Sequence, residues 1–180
     1  MKKSIVLVGI AGAGKTTTGK ALSEKLNIEL VDVDDEIEKR SNQSILKFFD
    51  NKGEEAFRDL EFEIINQALK NGNNVIATGG NAFLQDRTRD AIKKYGISVN
   101  LFADVKTLVN RIAKKKSSPL LGKSAKELTT IIEEYNKIYN EADTHINTTN
   151  YSTAEVVDDI AELTNLKDHH DSSKPKIARF

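Results

Sequence analysis

The feature that most restricts this chain is an eight-residue run near its start, GIAGAGKT, Gly9 to Thr16. It satisfies G-x-x-x-x-G-K-[ST] at every fixed position and directly follows the apolar run Ile5–Val8. Glycine is about 7% of average composition, so a chance match has a probability of roughly one per cent or less. Such a loop works only when a strand leads in and a helix leads out. Backbone N–H groups then converge on phosphate oxygens at a helix N-terminus. Gly12, Ala13 and Gly14 are expected to supply those groups, and Thr17 follows in the first helical turn. Lys15 is expected to place a point charge between the terminal phosphates, and the Thr16 hydroxyl to ligate Mg²⁺. Binding of a nucleoside triphosphate such as ATP follows.

The rest of the chain reads as alternating strands and helices. Asn74–Ala77 and Ser98–Phe102 resemble buried parallel strands, with Leu30–Val33 and His145–Asn147 weaker. Helical patterns cover Lys15–Leu26, Ser44–Phe49, Glu54–Leu69, Arg87–Tyr95, Val105–Lys115, Ala125–Glu141 and Ala154–Leu163. This alternation predicts an α/β fold with a parallel sheet and right-handed crossovers. A length of 180 residues suits one domain. Lys plus Arg and Asp plus Glu both number 27, so no basic footprint points to nucleic acid. The chain has no cysteine, which excludes disulfides and thiolate zinc sites. The apolar runs are too short for a membrane span, and the start lacks a cleavable leader. A cytoplasmic monomer is expected. Residues 166–180, LKDHHDSSKPKIARF, lose periodicity and read as a loose tail, with His169 and His170 solvated.

Three further stretches carry chemistry. In VDVDDE, Asp32 and Asp34 alternate at a strand end, so both carboxylates would project to one side. One suits a magnesium shell and the other a hydroxyl proton. Asp34, Asp35 and Glu36 equally suit the first turn of a helix. In GEEAFRDLE, Gly53–Glu61, Arg58 and Glu61 stand three apart on one helix face, so the acid can orient the guanidinium toward an anionic ligand. VIATGG, Val75–Gly80, is a strand ending in two glycines that allow close approach of a ligand to the backbone.

In combination these segments resemble the shikimate kinase family over roughly residues 4–165. The motifs occur in order: the phosphate loop, D-x-D at Asp32 and Asp34, G-E-x-x-F-R-x-x-E at Gly53–Glu61, T-G-G at Thr78–Gly80, and P-L-L at Pro119–Leu121. The resemblance implies a three-layer α/β/α P-loop kinase fold. Its parts are a five-stranded parallel sheet, a substrate-binding segment after the second strand, and a lid over about 114–124. It implies that Asp34 orients or deprotonates the attacking hydroxyl and that Asp32 supports the Mg²⁺ shell. Arg58 would pair with the substrate carboxylate, Gly79 and Gly80 close the ring site, and Arg111 lie against adenine. The implied reaction transfers the γ-phosphoryl group of ATP to the 3-hydroxyl of shikimate.

Three positions depart from the family pattern. Asn81 replaces a third glycine, a mild change because asparagine tolerates positive φ. Ser118 replaces the lid arginine, with Lys114, Lys115, Lys116 and Lys123 as nearby cations. Tyr135 stands where a second carboxylate-binding arginine belongs, four residues before Tyr139. These changes keep two other functions open: a kinase for a carboxylate-free polyol or cyclitol, and a nucleotide-binding regulatory protein with little transfer activity.

Overall fold

The computed structural model describes residues 2–114, 120, 122–167 and 176–178. Strand β1 (Ser4–Val8) runs through the phosphate loop into α1 (Lys15–Leu26). Then come β2 (Glu29–Asp32), α2 (Val33–Ser41), α3 (Ile45–Asn71) and β3 (Asn74–Ala77). A 3₁₀ turn over Ala82–Leu84 leads to α4 (Asp86–Tyr95), β4 (Gly96–Phe102), α5 (Val105–Ala113) and α6 (Ala125–Tyr139). β5 (Thr144–Asn147), α7 (Thr153–Lys167) and the short β6 (Lys176–Ala178) complete the order.

All described strand pairs are parallel, in the order β2-β3-β1-β4-β5-β6. The first five are the expected sheet. The sixth comes from the stretch read as an unstructured tail, and it adds to the β5 edge.

β1 lies between β3 and β4 and is buried along its length, which explains why it reads as an unbroken apolar run. The chain steps one way from β1 to β2 and the other way from β3 to β4. Right-handed crossovers therefore put α1 on one face and α3 and α4 on the other. α7 returns beside α1. Leu22, Ile64, Ile65, Ile92 and Leu128 bury against Val6, Leu7 and Leu101 between the layers.

Two local outcomes sharpen the sequence reading. The strand β2 ends at Asp32, and the following acidic run starts a helix. Asp32 is its N-cap, accepting from Asp35 N at 3.4 Å, and Asp34, Asp35 and Glu36 occupy the positive first turn. Two-residue alternation therefore does not place Asp34. The helix does. α3 is also two helical stretches that meet at a kink at Gly53, where φ is 80° and ψ is 176°. The kink separates the two expected helical patterns and stacks Phe49 on Phe57, with ring centroids 4.3 Å apart.

Candidate active site

The phosphate loop takes its shape from glycines in positive-φ conformations: Gly9 at 136°, Gly12 at 86° and Gly14 at 103°. A Cβ on Gly9 would lie 2.2 Å from the Leu101 carbonyl oxygen, so the loop can leave β1 only as glycine. The buried Lys15 ammonium donates to Gly9 O at 2.7 Å and Ile10 O at 3.2 Å, which holds the charge over the loop. Gly12, Ala13, Gly14, Thr16 and Thr17 line a cavity of about 350 Å³.

Arg111 lines the same cavity from α5, whose Leu108 and Ile112 face the core. Its guanidinium donates to Thr148 Oγ1 at 2.9 Å, Thr148 O at 2.7 Å and Gly12 O at 3.5 Å. These bonds tie it down at the edges. Thr148 and Tyr151 complete the wall, and the sequence reading named neither. The available signal was positional, because both follow β5, and ligands of open α/β sheets bind beyond the carboxyl ends of the strands.

The second half of the site is built around Glu61, which is 1% exposed. Its Oε2 accepts from Arg58 Nη1 at 2.9 Å, while Glu54 Oε1 lies 3.3 Å from Arg58 Nη2 on the outer side. The guanidinium also sits 5.1 Å from the Phe57 ring centroid. Burial pushes the Glu61 carboxyl above the usual range against the pull of Arg58; the Asp34 charge adds to the rise and Lys15 opposes it. Those influences show that Asp34, Lys15, Arg58 and Glu61 share one electrostatic neighbourhood.

Gly79 is where Asp34 and Glu61 meet. A Cβ there would lie 2.4 Å from Glu61 Oε1 and 3.2 Å from Asp34 Oδ1. One on Gly80 would lie 3.3 Å from Ala11 N in the phosphate loop. Gly80 O accepts a hydrogen bond from Tyr139, whose ring stacks on Phe83 at 6.0 Å. Burial pushes the Tyr139 phenol far up, so it stays a neutral donor.

The three departures resolve differently. Asn81 has φ −114° and ψ 2°, so the position, at the start of the 3₁₀ turn, makes no demand for positive φ. Tyr135 is half-buried, packed edge-to-face on Tyr139 with ring centroids 6.2 Å apart. It lines a small cavity of about 40 Å³ with Ile10, Leu101 and Leu108. Arg58 lines a different, open cavity with Glu55, Asp59, Leu84 and Arg87. Ser118, Pro119, Leu121, Lys115 and Lys116 lie outside the described residues. Of the lid cations that are described, Lys114 lines the cavity beside the phosphate loop and Lys123 is exposed.

For a metal, the available donors are the half-buried Thr16 and Asp32. Asp32 Oδ2 is buried and has no hydrogen-bond partner among the described residues, as befits a carboxylate reserved for a hydrated cation.

Comparison with known proteins decides the family. The shikimate kinase family model matches residues 11–165. The chain belongs to the shikimate kinase family. A shikimate kinase from Ruegeria pomeroyi is 38% identical over 172 residues, covering 93% of this chain and 88% of the relative. One from Persephonella marina is 38% identical, covering 88% and 96%. Among solved structures, shikimate kinase from Acinetobacter baumannii in complex with shikimate superposes with a TM-score of 0.85 at 32% identity, covering 93% and 95%. The Aquifex aeolicus shikimate kinase gives 0.80 at 32% identity, covering 93% and 99%. A gluconokinase from Sinorhizobium meliloti, at 17% identity and a TM-score of 0.56, shares the fold alone. Among the described residues, no helix is long and apolar enough to cross a membrane.

Proposed function

We propose that this shikimate kinase family member transfers the γ-phosphoryl group of ATP to the 3-hydroxyl of shikimate. The observation that carries this reading is the convergence of Asp34 and the Arg58–Glu61 pair on Gly79, beside a phosphate loop that reaches Gly80. A small acceptor in that space meets a carboxylate for its hydroxyls and a half-buried guanidinium for its own carboxylate. Asp34 orients the attacking hydroxyl and takes its proton. Glu61 holds Arg58 in place, and Arg58 neutralises the acceptor's charge. Lys15 and the loop N–H groups neutralise the phosphates, so that positioning and electrostatics supply most of the catalysis. Thr16 and Asp32 would hold Mg²⁺, which when bound offsets charge on the phosphate oxygens.

Within this reading the kinase unit spans residues 1–165 and works as a cytoplasmic monomer where ATP is available. Leu46 is the one large apolar side chain described as exposed, which gives little surface for self-association.

Tyr135 favours a second reading. With a phenol in place of a guanidinium, a carboxylate-free cyclitol loses less than shikimate does. ADP release, followed with shikimate and with a panel of neutral cyclitols, separates the two. Shikimate turnover abolished by Asp34→Asn supports the first; turnover confined to neutral polyols replaces it with the second. Tight ADP binding with no turnover on any acceptor would leave a nucleotide-binding regulator.

A further inference from the structure

The structure assigns Thr148 as a positioning residue of the nucleotide site: its hydroxyl couples Arg111 to the phosphate loop. Thr148 lies just past β5, is 4% exposed, and stands 135 positions from Ala13, its partner in that loop. Four contacts meet on its hydroxyl and carbonyl. Arg111 Nη1 donates to its Oγ1 at 2.9 Å and Arg111 Nη2 to its carbonyl at 2.7 Å. Its hydroxyl lies 3.2 Å from Ala13 O and 3.1 Å from Phe102 O.

A hydroxyl has one proton to give and lone pairs to receive. The lone pairs serve Arg111. Phe102 O already accepts from Thr148 N at 2.8 Å, so Ala13 O is the acceptor with more need of the proton. The chain of bonds then runs guanidinium to hydroxyl to phosphate loop, and Arg111 Nη1 reaches the same loop at Gly12 O. It fixes the wall of the cavity relative to the residues that hold the phosphates. A side chain of the same shape without the hydroxyl breaks both links and leaves the half-buried Arg111 Nη1 with only the longer bond to Gly12 O.

The inference rests on nucleotide binding at this cavity, so the test measures ADP binding directly, by calorimetry without acceptor, in wild type, Thr148→Val and Thr148→Ser. Wild type that fails to bind ADP overturns the nucleotide reading itself. With wild-type binding in place, Thr148→Val is expected to weaken ADP binding about tenfold, the loss of one charge-assisted bond. Thr148→Ser should stay within about twofold, and the KM for shikimate should be unchanged in both. The assignment fails if Thr148→Val binds ADP like wild type, or if Thr148→Ser is as weak as Thr148→Val. It also fails if shikimate KM rises in parallel. Arg111→Gln supplies a second test. Because Thr148 acts through Arg111, adding Thr148→Val to Arg111→Gln should cost little more, and full additivity overturns the coupling. If the valine variant does not fold, Thr148→Ala replaces it in both comparisons.

Discussion

Gly79 carries the most crowded contacts of the site, and its replacement isolates what that crowding does. Gly79→Ala puts a methyl group 2.4 Å from Glu61 Oε1, which forces the buried carboxylate, and Arg58 with it, out of position. Turnover is expected to fall by about a hundredfold or more, while circular dichroism stays native; a turnover loss below tenfold would mean that the pair tolerates displacement. Tyr135→Arg tests the opposite change. A second guanidinium should lower KM for shikimate by about tenfold or more and leave KM for neutral cyclitols unmoved. Steady-state kinetics on both substrates decides it. Glu61 supplies a pH signature. Its folded pKa is raised above the unfolded value of 4.5, so it contributes most favourably below that pH, and the contribution is lost as pH rises through the folded value. Relative to Glu61→Gln, the wild type should therefore lose stability as pH climbs from about 4.5 toward neutrality. Urea melts of both proteins across that range check the sign, and a wild type that gains stability relative to Glu61→Gln as pH rises would contradict it.

At the scale of elements, the bend in α3 is the feature with a consequence for substrate. Gly53 holds φ 80° and ψ 176°, a conformation that residues with a side chain avoid, and no atom lies within 4 Å of an added Cβ. The effect of Gly53→Ala is thus backbone strain alone, about 1–3 kcal/mol. Relief of that strain by straightening would draw Phe49 off Phe57, the ring that backs Arg58. The expected result is a lower urea midpoint together with a raised KM for shikimate. The helical periods on either side of this kink are readable in the sequence because each is set by contacts three and four residues apart. α2 is not, since its acidic run suits either a strand end or a helix start. The choice fell to the helix because Asp32 caps it and the first-turn charges meet the positive end of the helix dipole.

The whole molecule brings two half-sites together at the carboxyl edge of one sheet. Ligand at either half should stabilise the folded chain. With ADP at about a hundred times its Kd the gain is about 2.7 kcal/mol, which for a domain of this size raises Tm by roughly 5–10 °C. Thermal melts with and without ADP measure it, and Lys15→Ala should reduce the shift. What the sequence by itself determined about this protein is what short-range geometry dictates. The loop Gly9–Thr16 was legible because its glycines and lysine sit at fixed spacing. Helix Lys15–Leu26 matches its expected ends, and the Arg58–Glu61 pair follows from three-residue spacing on one helix. Tertiary structure alone decided which loops share a site. Tyr139 reaches Gly80 across 59 positions, Thr148 reaches Ala13 across 135, and Asp34 and Glu61 crowd Gly79 from separate helices. Those meetings depend on strand order and crossover hand, and the placing of β1 between β3 and β4 leaves no periodic trace along the chain.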